Sequence, residues 1–137
     1  MTQKKFLVKD YMARQLTRLS PEMEIMTAVN TLLQKDVSGA PVVDENEQLV
    51  GILTQKDCMR VVLNAAYHSE FAGIVADFMS KDIVSLSSDI SMVEAAQRFL
   101  EQNYHRYPVV DDGVLVGQIS RKDVMRALED AWQWKSH

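Results

Sequence analysis

The chain has 137 residues, 47% of them hydrophobic and 25% charged, with a formal net charge of −4; this composition suits one globular domain, or two small halves sharing a core. The acidic balance argues against a surface built for nucleic-acid phosphates, while leaving room for a local basic pocket that takes one small anion. No apolar run approaches the roughly 18 residues of a membrane span, residues 1–10 lack the apolar stretch of a secretory leader, and the lone cysteine, Cys58, forms no disulfide or CxxC pair, so a cytoplasmic protein without a membrane role is expected.

In chain order, residues 9–12 read as one helical turn and 16–19 as a short strand, broken at Ser20-Pro21 because proline supplies no ladder donor. Ile25, Met26, Ala28, Val29, Leu32 and Leu33 recur at spacings of three and four, which predicts an amphipathic helix over 24–35. Gly39 follows its last turn closely, as a helix-ending glycine does. Residues 40–43 form a buried strand, 44–48 a polar turn and 49–53 the returning strand of a hairpin. Thr54 then opens a helix carrying Met59, Val62, Leu63 and Ala66.

After the connector at 67–74 the programme restarts. Val75-Ala-Asp-Phe-Met79 matches Val8-Lys-Asp-Tyr-Met12, and 83–86 matches the first strand. The helix from Ser91 carries Met92, Val93, Ala95, Ala96, Phe99 and Leu100 in the register of the first, and Ser91 with Glu94 makes a capping box. Residues 107–110 and 114–119 are the second hairpin, with a tighter turn at Asp111-Asp-Gly113, and Ser120 opens a last helix to about Trp134. The first repeat is thus 1–66 and the second 75–137. Two copies of so short a unit are too few for a solenoid, and each alone buries little core. Pairing the copies about a pseudo-two-fold is the economical arrangement. Trp132 and Trp134 suit core or dimer packing, while the first residues, Ser136 and His137 are expected to fray.

The doubled order is specific: (V)xD(Y/F)M, Leu-Ser before an amphipathic helix, a Pro-Val-Val-Asp hairpin, then Gly-apolar-(I/L)-(T/S)-x-x-Asp. It resembles the CBS domain, and a tandem CBS pair in particular, over about 8–63 and 75–130. The resemblance implies an α+β fold of two β-α-β-β-α repeats packed through their sheets. It also implies two clefts for adenosine-type ligands (AMP, ADP, ATP or S-adenosylmethionine, none an obligatory cofactor) and frequent assembly as homodimers.

Thr54-Gln-Lys-Asp57 and Ser120-Arg-Lys-Asp123 carry two readings. A hydroxyl residue followed three positions later by a carboxylate at a strand-to-helix step is a cap. The same helix start offers free N–H groups to phosphate, and its carboxylate suits a ribose diol. The resemblance implies that Asp57 and Asp123 hold ribose, with Thr54 and Ser120 on ribose or phosphate. It places the base slot around Ala40-Pro41 and Tyr107-Pro108, with adenine read by the backbone at Leu16-Thr17 and Ile83-Val84. Proline at 41 and 108 can equally just start an edge strand. His105-Arg106, where the first repeat has Ser38-Gly39, is either a solvated loop pair or a phosphate clamp. His-Arg-apolar-Pro resembles the nucleotide-binding repeats of the AMP-activated protein kinase γ subunit, and leaves open which cleft the pair serves. Lys56, Arg121 and Lys122 are further phosphate candidates.

The expected function is a regulatory module sensing an adenine nucleotide, with output through an effector partner or its own assembly; the alternative is a structural or dimerising module without a ligand. His68, His105 and His137 are scattered and no nucleophile triad, metal cluster or Walker loop occurs, so catalysis is not expected.

Overall fold

The computed structural model describes residues 6–68 and 71–136, with only the backbone for 134–136. The expectations of fraying at the first residues and His137, the middle of the connector and the packing of Trp134 fall outside what is described, whereas the backbone of Ser136, expected to fray, is helical. The architecture is mixed α+β, in the order α1 (Val8–Tyr11), α2 (Ile25–Lys35), β1 (Gly39–Val43), β2 (Leu49–Thr54), α3 (Gln55–His68), α4 (Val75–Phe78), α5 (Met92–Glu101), β3 (Arg106–Asp111), β4 (Val114–Ser120) and α6 (Arg121–Ser136).

Two compact units divide the chain: a continuous one, Thr17–Ile83, and a split one, Met1–Leu16 with Val84–His137. Their boundaries cut across the sequence repeats. Each unit combines the hairpin and long helices of one repeat with the one-turn helix that opens the other.

In the continuous unit, β1 and β2 pair antiparallel. A single parallel rung at Leu19 lines the free side of β1, and an antiparallel rung joins Ser80 to Ile52 on the free side of β2. The split unit repeats this, with Leu86 beside β3 and Ala13 bridged to Gln118 of β4. The strands expected at 16–19 and 83–86 therefore shrink to one rung each. Pro41 and Pro108 are not edge residues. Their carbonyls accept the N–H groups of Leu19 and Leu86, both at 3.0 Å, so the proline supplies the acceptor its ring leaves available.

Each unit has its own core. Leu19, Ile25, Ala28, Leu32, Val42, Leu53, Val75 and Phe78 cluster in one, and Val8, Met92, Ala95, Phe99, Tyr107, Val109 and Ile119 in the other. The helix periodicity is real, but on α2 and α5 only half of each predicted stripe points inward, and on α3 none of it does. On α3 the core side is Val61 and Ala65, while Met59, Val62 and Leu63 are exposed. Leu33 on α2, Val93 and Leu100 on α5, and Leu128 and Trp132 on α6 are exposed as well. Helix α2 begins one residue later than expected, with Glu24 as its cap accepting from the Met26 N–H at 3.3 Å. It ends at Asp36 in the left-handed conformation, φ 53°. Gly39 does not end the helix; it begins β1.

The hairpin turns differ as the sequence indicated. Asp112 and Gly113 carry φ of 51° and 82°, the doubly left-handed turn that matches strand twist and favours Asp-Gly. In the longer turn, Asp44 Oδ1 accepts from the N–H groups of Asn46 and Gln48 at 2.8 and 3.0 Å. In the split unit, Asp111 faces the 86–90 segment. It accepts from Ser88 Oγ at 2.5 Å, Ser88 N–H at 3.1 Å and Ser87 Oγ at 3.4 Å. The Ser88 hydrogen bonds hold its carboxyl below the ordinary range.

Gly117 and Gly51 are the points of closest approach. A β-carbon on Gly117 would stand 2.6 Å from Met12 Sδ and 2.8 Å from the Ala13 carbonyl oxygen. The thioether can swing away; the carbonyl is held by the rung to Gln118. Gly117→Ala is expected to cost about 1–3 kcal/mol by overpacking, read from urea unfolding; stability equal to the parent would disprove the constraint. Ser88→Ala should destabilise at neutral pH by about 1.5–3 kcal/mol, the scale of a hydrogen bond to a charged group. Because the folded carboxyl of Asp111 is depressed, that stabilisation is present above the ordinary carboxylate pKa and is lost as pH falls through the folded value. The gap between the parent and Ser88→Ala unfolding curves should therefore close in acid; a gap independent of pH would contradict it.

Candidate functional site

The two hydroxyl–carboxylate motifs stand at the β2–α3 and β4–α6 steps. Thr54 N–H and Oγ1 both donate to Asp57 Oδ2, at 2.9 and 3.0 Å, and the Asp57 N–H donates back to Thr54 Oγ1 at 3.2 Å. Ser120 and Asp123 repeat the arrangement at 2.9, 3.0 and 3.4 Å. One carboxylate oxygen of each motif is thus committed to capping, whatever else the motif does. Both carboxylates are nearly closed off from solvent, Asp57 at 2% and Asp123 at 4% exposure.

The other oxygen, Oδ1, meets groups that sequence reasoning missed. Arg60 Nη1 lies 3.4 Å from Asp57 Oδ1, and Arg126 pairs with Asp123 Oδ1. The signal was present, since both copies read Asp-x-x-Arg, a spacing that places the pair on one helix face. Both arginines are more than half exposed. Ser80 Oγ also donates to Asp57 Oδ1, at 3.0 Å. No local pattern around the motif pointed to that partner.

His105 and Arg106 are exposed and lie against the Ser120 motif of their own unit. Arg106 is the cross-strand partner of Ser120. The Arg121 N–H donates to the His105 carbonyl at 3.3 Å, and Arg121 Nε to the Tyr104 carbonyl at 3.0 Å. In the continuous unit Gly39 faces Thr54 and the Gln55 N–H donates to the Ser38 carbonyl at 2.9 Å. The backbone is the same, but the basic side chains are absent. Lys56 and Lys122 are exposed on the first turns of α3 and α6.

The expected base-slot residues divide. Ala40 and Tyr107 are core residues, 2% and 1% exposed. Tyr107 donates its hydroxyl to the Arg98 carbonyl at 2.9 Å, and its ring packs on Phe99 and Tyr104. Burial first, then Tyr104, pushes its phenol up. Pro41 and Pro108 are buried in their strands. Thr17, Ile83 and Val84 stand where the chain passes from one unit to the other, and Thr17 and Ile83 are half-buried. Cys58, beside Asp57, is half-buried. Its thiol is raised, mainly by burial and then by Asp57. Among the described residues no group of three or more His, Cys, Asp or Glu side chains could hold a metal, and no helix is long and apolar enough to cross a membrane.

In the split unit a concavity of about 550 Å³ opens between α5 and α6, lined by Phe99, Leu100, Gln102, Asn103, Arg121 and Val124. It is largely apolar and was not anticipated from the motifs.

Comparison with known proteins places this architecture. Among solved structures, the chain is similar to CBSX2 of Arabidopsis thaliana in complex with AMP, at 29% identity and a TM-score of 0.80 over 93% of this chain and 98% of that one. It is also similar to the CBS domain pair of MJ0100 in complex with 5′-methylthioadenosine and S-adenosyl-L-methionine, at 25% identity and a TM-score of 0.71 over 93% and 99%. Among curated sequences, the CBS domain-containing protein YhcV of Bacillus subtilis is 31% identical over 117 residues, 85% of this chain and 81% of that protein. Other relatives are much longer. The chain spans 44% of MJ1225 of Methanocaldococcus jannaschii, at 28% identity over 125 residues, or 91% of this chain. It spans 21% of an inosine-5′-monophosphate dehydrogenase of Nitrosopumilus maritimus, at 34% identity over 107 residues, or 77% of this chain. The family model for the CBS domain matches residues 8–64 and again 75–130, and the chain therefore belongs to the CBS-domain family as a tandem pair.

Proposed function

We propose that this chain is a regulatory, non-catalytic module that binds an adenosine-type nucleotide at its hydroxyl–carboxylate motifs and passes the signal to a partner protein or to its own assembly. The observation that carries this reading is the presence of both motifs, Thr54 with Asp57 and Ser120 with Asp123, in a chain 29% identical to CBSX2 with AMP bound. A helix N-terminus supplies N–H groups and a positive dipole end for phosphate, and a carboxylate in its first turn takes ribose hydroxyls through charge-assisted hydrogen bonds. The MJ0100 complex supports adenosine as the shared element and widens the class to S-adenosylmethionine. Lys56, Arg121, His105 and Arg106 are the phosphate-facing candidates in this reading, with Ala40, Pro41, Tyr107 and Pro108 shaping the base slot and Thr17, Ile83 and Val84 offering backbone to the base. The lone Cys58 fits a reducing compartment, and the cytoplasm is the proposed location.

A ligand that binds the folded chain alone raises its stability by about 2.7 kcal/mol at a hundredfold excess over Kd. AMP, ADP, ATP and S-adenosylmethionine should each be tested by thermal unfolding and calorimetry. A shift of several degrees with at least one of them is expected; no shift from any at millimolar concentration would overturn the reading.

Self-association is proposed alongside it. The support is the run of exposed apolar side chains on the long helices, Leu33, Met59, Val62 and Leu63 in one unit and Val93, Leu100, Leu128 and Trp132 in the other. Apolar surface of this extent on a soluble chain marks an interaction face. Sedimentation should return twice the 15.6 kDa chain mass, and Leu63→Glu with Leu128→Glu should return the monomer with its fold intact. A monomeric parent chain would refute the association.

A further inference from the structure

We infer that the two motifs are unequal binding points: Ser80 closes the Asp57 carboxylate, so the first equivalent of a nucleoside phosphate is taken at Asp123. This rests on the nucleotide reading above and assigns an order and a ligand class within it.

An ionised carboxylate offers about four acceptor positions. At Asp57, Oδ2 receives the Thr54 N–H and hydroxyl, and Oδ1 receives the Ser80 hydroxyl at 3.0 Å and faces the Arg60 guanidinium at 3.4 Å. Three of these positions carry hydrogen bonds and the fourth faces the Arg60 charge. At Asp123, Oδ2 is committed in the same way to Ser120, but among the described residues Oδ1 has Arg126 alone.

The difference is set by one residue at one backbone position. Ser80 exchanges both hydrogen bonds with Ile52, N–H to carbonyl at 2.8 Å and the reverse at 2.9 Å. Ala13 exchanges the equivalent bonds with Gln118 at 2.8 and 2.9 Å. The chain thus delivers residue 80 and residue 13 to the same point beside β2 and β4. Serine brings a donor there and alanine brings none. A ribose diol approaching Asp57 must displace the Ser80 hydroxyl, an intramolecular partner already in place. At Asp123 it needs only the outward swing of Arg126, whose side chain is 63% exposed.

A second, independent difference points the same way and names the ligand class. His105, Arg106, Arg121 and Lys122 surround the Ser120 motif and are all exposed. None of the four enters an ion pair among the described residues. The corresponding residues beside Thr54 are Ser38, Gly39, Gln55 and Lys56. Guanidinium groups that have no carboxylate partner among the described residues and stand beside a helix start suit a phosphate. The Asp123 point is therefore matched to a ligand with both a diol and a phosphate, and it should discriminate against adenosine.

The test is calorimetry of the full chain with AMP and with adenosine, using the parent, Ser80→Ala, Ala13→Ser and Asp123→Ala. The parent should bind one AMP per chain, with adenosine at least tenfold weaker. Ser80→Ala should bring in a second AMP site, and Ala13→Ser should weaken the first by roughly tenfold. Asp123→Ala should abolish the tight site; because it also removes a cap, each variant is accepted only with a cooperative unfolding transition, and Ala13→Ser makes the same point without touching the cap. Two parent sites within threefold of each other, or a Ser80→Ala stoichiometry that stays at one, overturns the inference and leaves the nucleotide reading standing. Absence of saturable binding in the parent and in Ser80→Ala overturns both.

Discussion

Two reciprocal backbone pairs govern the structure: Ala13 with Gln118, and Ser80 with Ile52. A two-stranded hairpin alone is marginal in water, and each of these units contains one. The rung on the outer side of β4 or β2, with the parallel rung of Leu86 or Leu19 on the other side, covers both edges of the hairpin. Glycine at 117 and 51 is the local price of bringing the methionine-bearing segment so close. Once these contacts form, Val8 and Val75 are carried into the two cores, and the one-turn helices gain a reason to exist that their own four residues do not supply.

The same closures decide what the motifs can do. The residue following Met12 or Met79 lands beside the strand that ends in Ser120 or Thr54. Its side chain therefore reaches, or fails to reach, the carboxylate one helical turn further on. A structural closure and a candidate ligand point share atoms at Asp57, through Ser80. This is also why capping and binding are not competing explanations for these carboxylates. Capping uses Oδ2 in both motifs, and only Oδ1 remains to differ.

Much of this was legible in the sequence for a simple reason: a doubled pattern lets each half check the other. The hairpins, the tight Asp-Gly turn and the cap at Ser91 follow from local chemistry, and local chemistry repeats. Three things were not legible. Apolar residues at 59, 62, 63 and 100 follow helical spacing as well as core residues do, and periodicity carries no information about which part of a wide stripe the chain itself covers. Pro41 and Pro108 looked like edge residues because a missing donor is visible in sequence, whereas an accepting carbonyl is not. Ser80 escaped notice because its partner, Asp57, is remote along the chain, and its significance appears only beside Ala13.

The division of the chain has a consequence for its topology as a polymer. The continuous unit ends at Ile83, beyond the connector, and the split unit begins before Thr17. A break in the connector would therefore not separate two self-sufficient domains. The piece before it would keep α1 and Ala13, which complete the other hairpin, and the piece after it would carry away α4 and Ser80, which complete the first. Each fragment would hold the edge the other lacks, so the repeats are complementary halves in the strict sense, and a single repeat copied out of this chain would bring along the wrong partner's edge.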